Sequence, residues 1–141
     1  MRSHYDFICI VSNDLSTENR MKRCCKVLSD EGKTVLLAGR ILKHSPPISN
    51  ENFEQLRIKF LVNSGPLFYI ELIVRFTLLL KKVNFSNLIC VDLDTAFVSL
   101  FLSKKNRRFI VDLHEYFEEV PELQGKLFKK KQKTLKSLIK A

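Results

Sequence analysis

Glycine is scarce in this sequence, four residues in 141, and neither GxGxxG nor GxxxxGK[S/T] occurs. The backbone cradle that brings a pyrophosphate onto a helix N-terminus is therefore lacking, which argues against a self-sufficient dinucleotide or ATP site. Cysteine is sparse as well. Cys9, Cys24, Cys25 and Cys90 make no CxxC and no Cys/His pair with metal-ligand spacing, so no metal site is expected. All four lie in apolar runs and read as reduced core thiols, which suggests a cytoplasmic protein.

Long hydrophobic runs are also wanting. The first six residues are polar and carry no signal core, and the longest apolar stretch, 67–80, is broken by Glu71 and Arg75. It is too short and too charged to span a bilayer. Acid is absent from the last sixteen positions, where seven lysines stand, and the formal net charge is +9. The partner is expected to be anionic. That lysine run has no arginine to read bases, so an anionic membrane surface is expected ahead of any nucleic acid.

What is present is enough apolar material, 45% of residues, for one core. Residues 5–12 are apolar and β-rich without clean alternation, the pattern of a strand covered on both faces. A helix follows with Met21, Cys24, Cys25 and Leu28 on one face, Ser16 or Thr17 as N-cap and Gly32 at its stop. Further strands are expected at 34–38, 55–62, 88–91 and 108–111. Helices are expected from Pro66 to Lys82, over 95–103, and over 126–140. The prolines at 46 and 47 mark a loop. Strands alternating with helices, and no Asn-Gly hairpin signal, imply an α/β fold: a doubly wound parallel sheet with helices on both faces.

Such sheets bind ligands beyond the carboxyl ends of their strands. Three polar clusters fall there: Ser12, Asn13 and Asp14 after the first strand; Asp92 and Asp94 after the fourth; Asp112, His114 and Glu115 after the fifth. Asx residues also cap helices and shape turns, and Asn13, Asp14 and Asp94 are open to that reading. A histidine beside acids at a cleft edge can donate a hydrogen bond or titrate near neutral pH.

Taken together, VSNDLSTENRMKRCCKVLSDEGKTVLLAGR, VDLDT and VDLHEYFEEVPEL resemble the N-terminal domain of bacterial family 4 glycosyltransferases of the GT-B architecture. DLHEYFEEVPEL is the most specific of the three. The resemblance implies a Rossmann-like acceptor-side domain over 1–125, a lysine-rich continuation over 126–141, and retention of anomeric configuration with no cofactor or metal. It implies that His114 lies beside the donor sugar as the catalytic residue, and that Asn13, Asp14, Asp94 and Glu115 line the substrate. Arg20 would meet an anionic group. The implied partners are a nucleotide-sugar donor, a glycan or lipid-linked acceptor of cell-envelope synthesis, and a partner chain supplying the nucleotide-sugar domain. Alone, the chain is expected not to transfer sugar. The strand-one loop lacks the paired glycines of many such enzymes, which argues against phosphate contact through it.

The competing reading is a non-catalytic module that keeps the fold and docks a basic, partly apolar face on a membrane or protein. A phosphoacceptor receiver fits worse, because only Asn13 and Asp14 follow the first strand and no suitable lysine follows the fifth.

Overall fold

A computed structural model describes residues 2–102 and 106–113. It contains β1 (His4–Asp14), α1 (Asn19–Asp30), β2 (Val35–Ile41), β3 (Glu54–Lys59), α2 (Gly65–Lys82), β4 (Asn84–Val91), α3 (Asp92–Ala96), a 3-10 turn (Phe97–Phe101) and β5 (Arg108–Asp112). The five strands form one sheet in the order β3-β2-β1-β4-β5, and every pairing is parallel. This is the doubly wound, Rossmann-like α/β arrangement expected from the sequence. The chain winds outward from β1 to β3, then returns through α2 to β4 on the other side, so a switch point lies between β1 and β4.

β1 shows why its sequence does not alternate: Ile8, Cys9, Ile10 and Val11 are all fully buried. Ile8 and Ile10, with Leu36, Ala38, Leu88 and Cys90, pack under α2 and the 3-10 turn. Cys9 and Val11, with Val35, Leu37 and Val91, pack under α1 on the opposite face. Two cores on two faces of one sheet make every central strand position apolar. The edge strand β3 is half-buried along most of its length, with Leu56 and Ile58 packed against the core beneath α2.

Helix boundaries follow local chemistry, with two differences from expectation. Glu18, not Ser16 or Thr17, caps α1, its Oε1 accepting the Met21 N–H at 3.2 Å. Ser16 Oγ donates to Asp14 Oδ1 at 2.7 Å and Thr17 Oγ1 to the Asp14 carbonyl at 3.1 Å, which turns both hydroxyls back onto Asp14 ahead of the helix start at Asn19. At the other end Gly32 takes φ +78°, with Lys33 N–H donating to Leu28 C=O and Gly32 N–H to Ser29 C=O. Only a residue without Cβ enters that left-handed position cheaply. The helix expected over 95–103 is a single turn of α-helix followed by the 3-10 turn.

Cys24 is a correction. Cys9, Cys25 and Cys90 are buried, but Cys24 is exposed. Successive helix residues lie roughly 100° apart, so of a vicinal pair only Cys25 faces the sheet. No helix among the described residues is long and apolar enough to cross a membrane. The lysine-rich segment 126–141 and the boundary at 125 lie outside the described residues.

Candidate functional site at the carboxyl edge of the sheet

The carboxyl ends of β1, β4 and β5 bring Ser12, Asp94, Arg20 and Asp112 to one edge. Arg20 sits in the first turn of α1, where its side chain reaches toward β5. Its Nη1 pairs with Asp112 Oδ2 at 2.9 Å, both side chains about a third exposed. β5 lies two strand positions from β1, roughly 10 Å at ordinary strand spacing, so the guanidinium crosses the end of β4 at the switch point. Arg20 Nε and Nη2 are enclosed and have no hydrogen-bond partner among the described residues. A buried donor without an acceptor is costly, and one left over in a cleft is a place for a ligand oxygen.

Asp94 stands at the start of α3, directly after β4. Burial pushes its carboxyl above the ordinary carboxylate range, and the neighbouring Asp92 charge adds to this; hydrogen bonds from Ser12 and from the Thr95 amide, at 2.8 Å, only partly offset it. The strand-to-helix turn that carries it is tight. Asp92 takes φ +63°, a left-handed position uncommon for a residue with a side chain. Thr95, fully buried, donates its hydroxyl to the Val91 carbonyl and holds the turn closed.

Asp14 is placed differently from the other expected site residues. Its Oδ1 accepts the Ser16 N–H at 3.0 Å and the Ser16 hydroxyl, and its Oδ2 accepts the Ser45 hydroxyl at 2.5 Å. Ser45 Oγ in turn accepts the Leu42 N–H at 2.7 Å. Burial alone would raise the Asp14 carboxyl, but these bonds outweigh it and hold it below its usual range. The carboxylate ties the β1–α1 turn to the β2–β3 loop, 31 residues on. Asn13 lies beside it, exposed at the mouth.

Gly39 on β2 makes this packing possible. A Cβ there would stand 2.6 Å from Val11 Cγ2, 3.0 Å from Leu15 Cδ1 and 3.4 Å from the Asn13 carbonyl oxygen. Beyond it Arg40 stacks its guanidinium on Phe68, 4.3 Å from the ring centroid, and donates Nη2 to Asn63 Oδ1 at 3.1 Å. This fixes the start of α2 at the same edge of the sheet.

Of the residues expected from the sequence, then, Arg20 pairs with Asp112 across the sheet edge, Asp94 lies at the end of β4 against Ser12, Asn13 is exposed beside them, and Asp14 braces the β2–β3 loop. His114 and Glu115 lie outside the described residues. Ser12 and Asp112, members of the polar clusters expected at the strand ends, join the site although the family resemblance gives neither of them a role. The only sequence signal for them is position, each standing at the polar end of an apolar strand. Among the described residues no three His, Cys, Asp or Glu side chains gather as metal ligands. The edge can bind through an arginine whose enclosed Nε and Nη2 have no partner among the described residues, and it can hold a polar ligand against a desolvated carboxyl.

Comparison of the chain with protein-family models, with curated proteins and with solved structures gave no match.

Proposed function

We propose that this chain is the acceptor-side domain of a retaining glycosyltransferase, working opposite a nucleotide-sugar-binding domain across the crevice at the carboxyl edge. The observation that carries the reading is Arg20: an arginine anchored by Asp112 over the switch point, with two enclosed donors that no described residue meets. Glycosyl transfer develops positive charge on the sugar and negative charge on the departing diphosphate, so a competent site needs both an anchored cation and acceptor groups near the reacting carbon. In this reading Arg20 meets an anionic oxygen, while Asp94 and Ser12 orient an acceptor hydroxyl. His114, two positions beyond Asp112, hydrogen-bonds the donor sugar, and Asn13 and Glu115 border the substrate. The reading carries with it a cytoplasmic, peripheral location and an acceptor of cell-envelope glycan or glycolipid type.

The test is nucleotide release from a panel of sugar nucleotides, with the chain combined with a partner chain supplying the nucleotide-sugar domain. Release is expected only with both chains. It should fall about a hundredfold or more in Arg20→Ala and in His114→Ala, the scale on which one positioned polar group contributes to a transition state. The Arg20–Asp112 pair is only about a third exposed, so Arg20→Ala leaves Asp112 without its partner and should cost about 1–3 kcal/mol; a far-UV circular dichroism spectrum and a melting curve establish that the variant is folded before its release is read. Release that persists in both variants, or that never appears with any donor, refutes the reading.

A further inference from the structure

The helix α2 is apolar on two sides. Its inner side, Phe68, Leu72, Phe76 and Leu80, fills the core beneath the sheet. Its outer side carries Leu67, Ile70, Val74 and Leu78, which remain 65%, 58%, 49% and 54% exposed. At 100° per residue these four and Lys81 fall within a stripe roughly 80° wide. Leu61, 81% exposed, is held beside the second turn of the helix, because its N–H and that of Val62 donate to the Glu71 carboxylate at 2.9 Å each. A stripe of this size on an outward helix face is not what a freely solvated surface carries.

The charges around the stripe say what covers it. Glu71 is the only acid of α2, and its carboxylate is turned to the Leu61 and Val62 amides and to Arg75 Nε at 2.6 Å, which hold it below the usual carboxylate range. No free negative charge of the helix faces outward. Arg75 is engaged by Glu71, while Lys82 lies along one side of the stripe and Lys81 ends it, where a long side chain can lay its stem along apolar surface and lift its ammonium to a phosphate. An apolar stripe with two lysines at its C-terminal end, on a chain of net charge +9, complements an anionic lipid surface rather than another copy of the same basic chain.

We propose that the outer face of α2, with Leu61, docks on a bilayer containing anionic lipid, α2 lying in the plane of the interface with Leu67, Ile70, Val74 and Leu78 inserted among the acyl chains. The start of α2 is fixed by Arg40 at the same edge of the sheet as the Arg20 crevice. Docked this way, the crevice opens near the lipid headgroups, where a lipid-linked acceptor presents its sugar or phosphate. That last step rests on the proposed function; the docking itself does not.

The test is co-sedimentation of the whole chain with vesicles of phosphatidylcholine alone and of phosphatidylcholine with phosphatidylglycerol. Stronger binding to the anionic vesicles is expected, weakening at high salt and falling about fivefold for each lysine removed in Lys81→Gln and Lys82→Gln, from roughly 1 kcal/mol per cation near the surface. Ile70→Glu/Val74→Glu should abolish binding with unchanged melting. Leu67→Ser/Leu78→Ser, which adds no charge, should weaken it strongly. Binding by Ile70→Glu/Val74→Glu at the parent's level would assign the lipid affinity to other lysines and overturn the proposal. So would a concentration-dependent dimer that this variant dissociates, with no vesicle binding by either protein. Transfer to a soluble acceptor by the Ile70→Glu/Val74→Glu protein separates failed docking from a failed catalytic reading.

Discussion

Gly39→Ala tests the packing that forms the edge of the crevice. The added methyl would stand 2.6 Å from Val11 Cγ2 and 3.0 Å from Leu15 Cδ1, where carbon atoms prefer about 3.5–4.0 Å. Neither neighbour yields easily: both are fully buried, and a valine has one stiff χ1. Overpacking of this kind costs about 1–3 kcal/mol. Against it stands a gain of about 0.4–1 kcal/mol from restricting the unfolded chain. The net expectation is a loss of about 1–2 kcal/mol, or a melting temperature lower by roughly 3–8 °C for a domain of this length. Urea unfolding should show a lower midpoint and an unchanged slope. Val11→Ala alone leaves a cavity and costs about 2 kcal/mol. Combined with Gly39→Ala it opens the space the new methyl needs, so the double variant should be more stable than the sum of the two losses predicts by about 1 kcal/mol. A Gly39→Ala protein as stable as the parent, or strict additivity in the double variant, refutes the account of the turn.

Three further outcomes follow from the titratable groups. Asp94 is raised chiefly by burial, so its charged form is disfavoured in the folded state and subtracts stability once pH rises through the unfolded value of about 3.9; Asp94→Asn should melt higher than the parent at pH 7, the difference vanishing as pH falls below that value. Asp6 is the opposite case: the Thr34 amide and hydroxyl, each 2.8 Å from its Oδ2, lower it, so its stability is present above about pH 3.9 and lost as pH falls through the lower folded value. Asp6→Asn should flatten the acid limb of the stability curve while lowering the melting temperature at pH 7. Finally, burial pushes the Cys90 thiol up to about 12, and the hydrogen bond with Cys25, together with burial, raises Cys9. A thiol reagent should therefore modify Cys24 rapidly in the folded protein and the other three only on unfolding; mass mapping of the modified peptides checks this.

How much of the molecule was legible in advance depended on the range of the interaction. Pro66, Gly32 and the unalternating run in β1 act through φ preference, loss of Cβ and burial on both faces, so each declares its element from local sequence. The parallel sheet followed from the order of those elements. Even locally, competition hid some outcomes: Ser16 and Thr17 are good caps by type, yet their hydroxyls turn back to Asp14, the helix starts later, and Glu18 caps it.

The site was legible as positions but not as partners. By itself the sequence determined the α/β class, the polar clusters at strand ends and the abundance of apolar residues over 67–80, because these depend on composition and period. Only the tertiary structure decided that Arg20 meets Asp112, 92 residues away, that Asp14 ties down Ser45 while Asp94 sits desolvated, and that half of the apolar side chains of α2 face outward. Those outcomes turn on which surfaces strand order brings together, and a residue's type does not encode which distant neighbour will bury it or bind it.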